Sequence, residues 1–457
     1  MQPVETLISA RWVVPVVPRA TVLPDHSVAI DQGRIVAVLP TAAARSQFQP
    51  AQHVRLLQHA LAPGLINAHC HAAMTLLRGA GDDLSLGRWL NERIWPLERA
   101  LVSDRFVYDG TRQAAAEMLR AGITCCNDMY FFPEAAARAF IDLGMRCVVG
   151  IVAIEFPSAY ASDADDYLRK GLQTRDALRE EPLVGFALAP HAPYTVADQT
   201  LARIAMLADE LDLPVQTHLH ETEAEITESV RQHGMRPLAR LDRLGLVSER
   251  LLAVHAVHLQ PDEIALLAQR GASVVHCPAS NLKLASGIAP VAALLRQGVG
   301  VAFGTDGAAS NNRLDLLEEM RLAALLAKAG AQDASALPAW QALECATIVA
   351  AGALGLRGQI GSIEAGKQAD LIAIDLANLE TQPCFDVASQ LVYCAGREHV
   401  SSVWVGGRRV VAEQRLVHGA SEVDVASIAA AGAFWQARIQ KELTNLSATS
   451  NTNGFTG

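Results

Sequence analysis

Apolar and polar positions follow two different patterns along this chain. Between about residue 61 and residue 360, short and almost continuously apolar runs alternate with stretches rich in Ala, Leu and Arg, such as 111–120 and 198–211. Continuous apolar runs are typical of strands buried on both faces of a parallel sheet, and the stretches between them have the composition of helices. The predicted strands are 65–71, 123–128, 146–154, 183–190, 214–220, 251–258, 272–277 and 298–305.

Eight strand–helix units over about 250 residues are the size expected of a (β/α)8 barrel. A doubly wound open sheet is the alternative, but no Gly-rich phosphate loop follows the first strand, so the barrel is favoured. Both ends of the chain are β-rich, with tight-turn signals at residues 31–33 and 406–407. We therefore predict an α/β fold with a TIM-like barrel at 61–360 and a small discontinuous β-sandwich built from 1–60 and 361–440. Residues 441–457 are predicted to be a helix end and a mobile tail.

Composition narrows the class of protein. Of the 457 residues 51% are hydrophobic and 19% are charged, which indicates a globular chain, and the net charge of -10 argues against a nucleic-acid surface. No apolar run approaches the roughly 18 residues that a membrane-spanning helix needs. The eight cysteines lack the spacing of a disulfide framework. We expect a cytoplasmic protein without nucleic-acid or membrane partners, and a homo-oligomer remains open.

Histidines and two acids lie where the predicted strands end, which is the face of a barrel that carries active sites. His69 and His71 end the first strand and point to one side by the two-residue period of a strand. The other candidates at strand ends are His191, His218, His220, Glu221, His255, His258 and Asp306. Imidazoles and a carboxylate suit a divalent cation such as Zn²⁺. On the fifth strand, periodicity groups His218 with His220, and the residues alone do not choose between them.

Five segments carry a resemblance to a known family. They are Pro63-Gly64-Leu65-Ile66-Asn67-Ala68-His69-Cys70-His71, His218-x-x-Glu221, Ser280-Asn281-Leu282-Lys283-Leu284, Gly304-Thr305-Asp306-Gly307 and Gly366-Lys367-Gln368-Ala369-Asp370-Leu371. In this order the segments resemble the amidohydrolase superfamily, and within it the 5-methylthioadenosine/S-adenosylhomocysteine deaminase family. The resemblance extends from about residue 5 to about residue 440.

The resemblance implies a metal site and a reaction. His69, His71, His218 and Asp306 would bind one divalent ion, Zn²⁺ or alternatively Fe²⁺. Members with two metal ions carry a lysine at the end of the fourth strand, and residues 183–190 contain none. The ion would activate a water molecule that attacks C6 of an adenine ring.

The same resemblance assigns catalytic roles around that water. Asp306 would take the proton of the water, His255 would orient the nucleophile, and Glu221 would protonate the ring nitrogen. The acidic run at residues 221–225 leaves another interpretation for Glu221, which could equally begin a solvated helix.

Substrate contacts are also implied by the resemblance. Glu98 would accept the ribose hydroxyls, His191 would touch the nucleoside, and Trp95 would offer an aromatic wall, while Glu221 and Asp306 would face the reacting end. Relatives that accept S-adenosylhomocysteine have arginines after the third strand, but residues 151–157 contain none. We therefore expect 5'-methylthioadenosine to be favoured among the nucleosides. The alternatives are an aminohydrolase or chlorohydrolase acting on another purine, a pyrimidine or a triazine, and a catalytically silent scaffold of the same fold.

Overall fold

Eight parallel strands form a barrel, and both ends of the chain build a separate nine-stranded sheet. The computed structural model describes residues 1–418 and 421–452. The start of the chain supplies four strands of the sheet: β1 (Gln2–Val13), β2 (Leu23–Asp31), β3 (Arg34–Pro40) and β4 (Phe48–Pro63). The barrel strands are β5 (Leu65–Cys70), β6 (Ile123–Asp128), β7 (Arg146–Ala153), β8 (Val184–Pro190), β9 (Val215–Leu219), β10 (Leu251–His255), β11 (Ser273–His276) and β12 (Gly300–Phe303). The sheet is completed by β13 (Leu371–Asp375), β14 (Val400–Val405), β15 (Arg408–Ala412), β16 (Arg415–His418) and β17 (Ser421–Glu422).

The barrel strands pair in chain order from β5 to β12. The first and last strands meet through Asn67, whose Nδ2 donates to Thr305 Oγ1 (2.8 Å) and whose Oδ1 accepts from Thr305 N (2.9 Å). The backbone of Asp306 donates to the carbonyl of His69 at 3.1 Å. Sequential pairing confirms the predicted barrel, and the doubly wound alternative is wrong. The contact between the two strands also brings His69 beside Asp306.

Helices and short helical turns connect the strands. The helix α4 begins after Ser103, whose hydroxyl accepts a hydrogen bond from Phe106 N, so it starts seven residues before the predicted stretch 111–120. The α-helices are α1 (Thr41–Gln47), α2 (Leu86–Trp89), α3 (Trp95–Leu101), α4 (Asp104–Arg120), α5 (Pro133–Asp142), α6 (Ala164–Leu178), α7 (Asp198–Leu211), α8 (Glu223–His233), α9 (Pro237–Arg243), α10 (Pro261–Arg270), α11 (Pro278–Lys283), α12 (Val291–Arg296), α13 (Ala308–Asn311), α14 (Leu316–Ala331), α15 (Ala339–Glu344), α16 (Ala350–Ala353), α17 (Val387–Ser389) and α18 (Val425–Thr452). The π-helical segments are Leu90–Ile94, Cys345–Val349 and Gln390–Cys394, and the 3-10 turns are Ala72–Leu77, Leu379–Thr381 and Arg397–His399.

The nine-stranded sheet has the strand order β17-β16-β15-β14-β13-β4-β1-β2-β3, so strands from the two chain ends are neighbours. Most pairs are antiparallel, while β1 and β4 are parallel. The sheet curls on itself, because Arg34 in the edge strand β3 bridges Gln368 just before β13. This confirms a discontinuous second unit made from both ends, whereas the predicted boundaries at 60/61 and 360/361 stay predictions.

One buried ion pair joins the sheet to the barrel. Arg146, at the start of β7, contacts Asp370 at 2.8 and 3.1 Å through two nitrogens, and 6% and 2% of the two side chains are exposed. Asp370 Oδ1 also accepts from Gly406 N at 2.7 Å. The carboxylate in the resembling segment 366–371 is therefore a structural link rather than a site residue.

The last described helix packs on the barrel. Trp435 of α18 is buried, stacks edge-on against Phe106 with ring centroids 5.1 Å apart, and donates from Nε1 to Asp109 Oδ2 at 2.9 Å. Residues 441–452, predicted as a helix end and mobile tail, continue this helix, and positions 453–457 lie outside the described residues. None of the described helices combines the length and apolar character needed to cross a membrane.

Candidate active site

Four side chains converge at the mouth of the barrel, where β5, β9 and β12 end. His218 Nε2 lies 3.2 Å from His69 Nε2 and 3.3 Å from His71 Nε2. Asp306 Oδ1 lies 3.5 Å from His69 Nε2 and 3.2 Å from His71 Nε2. All four ligand atoms fall within 4.8 Å of one another. The structure thus brings together the four residues predicted as metal ligands.

Hydrogen bonds fix how the three imidazoles face each other. Each Nδ1 lies next to an oxygen acceptor: His69 next to Gln216 Oε1 (3.0 Å), His71 next to the Met129 carbonyl (2.6 Å) and His218 next to the His191 carbonyl (2.7 Å). An Nδ1–H that donates leaves the lone pair on Nε2, the atom that faces the cluster. The three Nε2 atoms cannot form hydrogen bonds with one another, because each is then an acceptor and none is a donor. A cation between them would interact favourably with all three lone pairs.

The spacing of the ligand atoms fits such a cation. Zinc bonds to nitrogen and oxygen of about 2.0–2.1 Å place tetrahedral ligand atoms about 3.3 Å apart, close to the four separations of 3.2, 3.3, 3.5 and 3.2 Å given above. Burial lowers the pKa of His69 to about 4, so this imidazole is neutral and able to ligate. Burial opposes a charge on His71 too, but contact with Asp306 outweighs it and raises the pKa of His71 to about 9. A proton and a metal ion therefore compete for the Nε2 atom of His71.

The carboxylate of Asp306 is held by two hydroxyl groups. Ser280 and Ser310 donate to Oδ2 at 2.6 and 2.7 Å, which leaves Oδ1 for the imidazoles. Asp306 has a φ of 57°, and His255 at the end of β10 has a φ of 70°. A left-handed backbone conformation costs conformational energy for residues other than glycine. At Asp306 and His255 this conformation changes the direction of the side chain where the strand ends.

Glu221 and His255 lie beside the cluster. Glu221 is only 5% exposed, its Oε2 lies 3.7 Å from His255 Nε2, and its Oε1 accepts from Ser286 Oγ at 3.4 Å. Burial, with repulsion from Asp306 as the second cause, raises the pKa of Glu221 to about 8. His255 Nδ1 pairs with Asn281 Oδ1 at 2.8 Å, leaving Nε2 toward Glu221. The interpretation of Glu221 as a solvated residue at a helix start is wrong, because the residue is buried and Thr222 is the one that caps α8.

A largely apolar cleft leads from the cluster to the surface. Counting the solvent at its mouth, this inner cleft has a volume of about 810 Å³. The predicted substrate residues Glu98, Trp95 and His191 all line it, together with the five residues His71, His218, Glu221, His255 and Asp306. Tyr130 donates to Glu98 Oε1 at 2.7 Å, and burial raises the pKa of Glu98 to about 7. Burial lowers the pKa of His191 to about 3, and its Nδ1 pairs with Thr195 Oγ1 at 3.0 Å.

Two candidate histidines at strand ends lie outside the cluster. Strand β9 ends at Leu219, and His220 takes a φ of 52°, so the two-residue period no longer applies there. His220 Nε2 instead accepts from Leu238 N at 3.1 Å. His258 Nε2 pairs with the carbonyl of Ser286 at 2.8 Å. Both imidazoles have structural partners away from the ligand atoms.

Several supporting residues escaped the sequence analysis. Gln216 holds His69, Tyr130 holds Glu98, and Asn281 holds His255. Gln216 could have been found, because it lies two residues before His218 in an otherwise apolar strand and so shares its face. Asn281 lies in the resembling segment 280–284, for which no role was predicted, and nothing in the sequence indicates that Tyr130 contacts Glu98.

A barrel with three imidazoles and a carboxylate at its carboxyl-terminal mouth, beside a cleft with a buried acid, defines a metal-dependent hydrolase. A family model described as "Amidohydrolase family" matches residues 60–410. The chain belongs to the amidohydrolase family, as the resemblance predicted.

Similar proteins are enzymes of this class. A protein of Saccharophagus degradans named 5-methylthioadenosine/S-adenosylhomocysteine deaminase is 45% identical over 440 residues, covering 96% of this chain and 98% of its own length. The crystal structure of an adenosine deaminase from Xanthomonas campestris with bound zinc is 53% identical with a TM-score of 0.94, covering 96% of this chain and 99% of that one. The atrazine chlorohydrolase of Arthrobacter aurescens complexed with zinc is 26% identical with a TM-score of 0.87, covering 94% and 100%.

Proposed function

We propose that this protein catalyses the metal-dependent hydrolytic deamination of an adenosine-type nucleoside at C6, with 5'-methylthioadenosine as the favoured substrate. The products are the inosine analogue and ammonia. One observation carries the proposal: three of the four predicted metal ligands, His71, His218 and Asp306, line the same cleft as the carboxylate of Glu98. The cluster suits hydrolysis at a ring carbon, and the carboxylate suits a sugar diol because it can accept two hydrogen bonds. The names of the two relatives that are more than 40% identical support the same substrate class.

His69, His71, His218 and Asp306 would hold the cation, which would supply the Lewis acidity that activates a water molecule near neutral pH. Asp306 receives the proton of that water. His255 presents its Nε2 lone pair to the nucleophile, because Nδ1 is committed to Asn281.

Glu221 completes the proton transfers. Its raised pKa keeps its carboxyl protonated near pH 7, so it can donate this proton to the ring nitrogen next to C6. Asp306 then passes the proton that it took from water to the amino group, the C6–N bond breaks and ammonia leaves. The hydroxyl proton of the C6 adduct returns to Glu221, so that the 6-oxo product forms and both acids regain their starting protonation states.

The walls of the cleft support a short, uncharged 5' group. No lysine or arginine lines the inner cleft within the described part of the chain, and Phe131, Val152, Ile154 and Phe156 give it an apolar side. A methylthio group buries its surface against such walls at no electrostatic cost. Trp95, whose ring lies 6.1 Å from that of Phe156, supplies a flat face for the purine or the sugar.

A substrate panel tests the proposal. The zinc-loaded protein is assayed for ammonia release from 5'-methylthioadenosine, adenosine, 2'-deoxyadenosine, free adenine and an amino-triazine. We expect the highest kcat/KM on 5'-methylthioadenosine, impaired turnover of the 2'-deoxy compound and poor turnover of adenine. A free base or triazine that reacts faster than every adenosine would contradict the nucleoside assignment. Absence of turnover on all five compounds would favour a silent scaffold.

We also propose that the protein works in the cytoplasm without nucleic-acid partners. All eight cysteines are free and six are buried, which suits a reducing compartment, and the net charge of -10 does not suit a polyanion. The homo-oligomer remains a prediction, which light scattering on the purified protein would test.

A further inference from the structure

The backbone that carries Glu221 is buried where it leaves the barrel. Strand β9 ends at Leu219, and the two residues that follow, His220 and Glu221, are 0% and 5% exposed. The carbonyl of His220 accepts hydrogen bonds from the backbone nitrogens of Val257 (3.1 Å) and His258 (3.0 Å) on the neighbouring connection. The backbone N–H groups of His220 and Glu221 also need acceptors, because a buried N–H without a partner costs free energy.

The side chain of Glu225, in the first turn of α8, supplies both acceptors. Its Oε1 accepts from His220 N at 3.1 Å, and its Oε2 accepts from Glu221 N at 3.0 Å. Only 8% of Glu225 is exposed, and hydrogen bonds shielded from water are stronger than exposed ones. One buried carboxyl group therefore holds two consecutive N–H groups, and the second belongs to the proposed proton donor.

The role of Glu225 goes beyond that of an ordinary residue at a helix start. Thr222 caps α8, because its hydroxyl accepts from Glu225 N at 3.3 Å. In the usual Thr-x-x-Glu capping box, the glutamate side chain bonds back to the N–H of the capping residue. Glu263 does this at α10, where its Oε2 accepts from Gln260 N at 2.8 Å. Glu225 reaches beyond its capping residue to the two residues before it, so its carboxyl group also holds the segment that carries Glu221.

The side-chain contacts of Glu221 are longer than these backbone hydrogen bonds. Its Oε2 lies 3.7 Å from His255 Nε2, and its Oε1 accepts from Ser286 Oγ at 3.4 Å. Contacts of that length restrain a side chain weakly. His220, directly before Glu221, has a φ of 52°, a conformation that costs conformational energy and persists only where surrounding contacts fix it. The direction of the Glu221 side chain therefore depends on how firmly its backbone is held.

We propose that Glu225 is a positioning residue for the reaction: its carboxyl group fixes the backbone of His220 and Glu221 and so directs the proton donor to the substrate ring. The inference rests on the proposed function, in which Glu221 protonates the ring nitrogen next to C6. Proton transfer needs a donor within about 2.6–3.2 Å of its acceptor, and a misplacement of about 1 Å can cost about 10²-fold in rate. Glu225 does not line the inner cleft, so it acts on the reaction through Glu221.

A double-mutant cycle tests whether Glu225 works through Glu221. The kcat and KM values for 5'-methylthioadenosine are measured for the zinc-loaded wild type, Glu225→Gln, Glu221→Gln and the double variant. Gln at position 225 has the same size, but its amide nitrogen cannot accept the second N–H. We expect Glu225→Gln to lower kcat about tenfold or more, with KM within about threefold. In the Glu221→Gln background the same change should lower kcat less than about twofold, because the proton to be positioned is already absent.

Glu263→Gln is the matched control. Glu263 occupies the same third position of its helix and is 7% exposed, but its carboxyl group accepts from the backbone of Gln260 at its own helix start. This variant should keep kcat within about twofold, even where its stability falls. Hydrogen exchange followed by mass spectrometry gives a second readout that does not depend on turnover. The peptide that contains residues 220 and 221 should exchange faster in Glu225→Gln than in wild type, and at the wild-type rate in Glu263→Gln.

A conservative variant completes the test. Glu225→Asp keeps two carboxyl oxygens on a shorter side chain and should retain more kcat than Glu225→Gln, and it takes the place of Glu225→Gln in the cycle if that variant does not fold. Equal losses of kcat in the two backgrounds, an unchanged kcat, a loss confined to KM or zinc content, or a Glu225→Asp variant no more active than Glu225→Gln would overturn the positioning role. The proposed function would survive each of these results as long as wild type deaminates 5'-methylthioadenosine. Normal turnover in Glu221→Gln would instead remove the proton donor, and the positioning role with it.

Discussion

Replacing Glu221 with Gln separates its role as proton donor from its role in packing. The side chain is only 5% exposed, and its two oxygens contact His255 and Ser286. Gln has the same size, so both contacts can persist and the cavity does not change. Because Glu221 is not one of the four converging ligands, the zinc content should also remain. The variant therefore removes the transferable proton and little else.

The expected loss follows from the chemistry. General acid–base catalysis by a positioned side chain contributes about 10²- to 10⁴-fold, which corresponds to about 2.7–5.4 kcal/mol of transition-state stabilisation. We expect kcat to fall at least about 10²-fold, with the free energy of unfolding within about 1 kcal/mol of wild type. Since the pKa of Glu221 is raised to about 8, its proton is present below that pH and lost above it. The wild-type kcat should therefore fall as the pH rises through about 8, and the variant should lack this decline.

The assay is the absorbance change on conversion of the adenine ring to the hypoxanthine ring, recorded from pH 6 to pH 10 with zinc content measured in parallel. Glu223→Gln is the matched control: it makes the same chemical change two residues away, at a side chain that is 86% exposed. This control should retain activity within about twofold, as surface substitutions usually do. Near-normal turnover in Glu221→Gln, or an unchanged pH profile, would refute the assignment of the proton donor to Glu221.

Removing two metal ligands together, in His69→Ala/His71→Ala, should leave purified protein without tightly held zinc by elemental analysis, and full occupancy would count against the site. Glu98→Ala should cost about 1.5–3 kcal/mol in kcat/KM on ribosides and little on free adenine, and an equal loss on both would contradict a role in sugar binding. Arg146→Met leaves the buried carboxylate of Asp370 without its cationic partner. It should lower the free energy of unfolding by about 3–5 kcal/mol in denaturant titrations. The double variant Arg146→Met/Asp370→Leu should recover most of that loss, whereas additive losses would show that the two residues act independently.

The barrel was predictable because its strands are buried on both faces. Each predicted strand corresponds to an observed one, and the differences lie at the ends. The eighth strand, predicted at 298–305, is observed as Gly300–Phe303, because Thr305 and Asp306 leave the strand to contact Asn67 and His69. Strand ends depend on such tertiary contacts, which a local apolar pattern does not contain.

The metal ligands were recognisable because a histidine or acid at a strand end is conspicuous in an apolar sequence. Periodicity alone could not decide whether His218 or His220 is the metal ligand. The answer depends on the point at which β9 ends and on the left-handed backbone of His220. The pairs that support the site are equally hidden. Gln216 and His69 are 147 residues apart in the sequence, and only the closed barrel brings them together.

The measurement that tests the account most directly is a zinc titration of metal-stripped protein, followed by 5'-methylthioadenosine turnover. The cluster of His69, His71, His218 and Asp306 predicts no deamination before zinc is added. Activity should then rise in proportion to zinc and level off at one ion per chain. Turnover by the stripped protein, a requirement for two ions, or a fully loaded protein that leaves every adenosine unchanged would contradict a single-metal nucleoside deaminase.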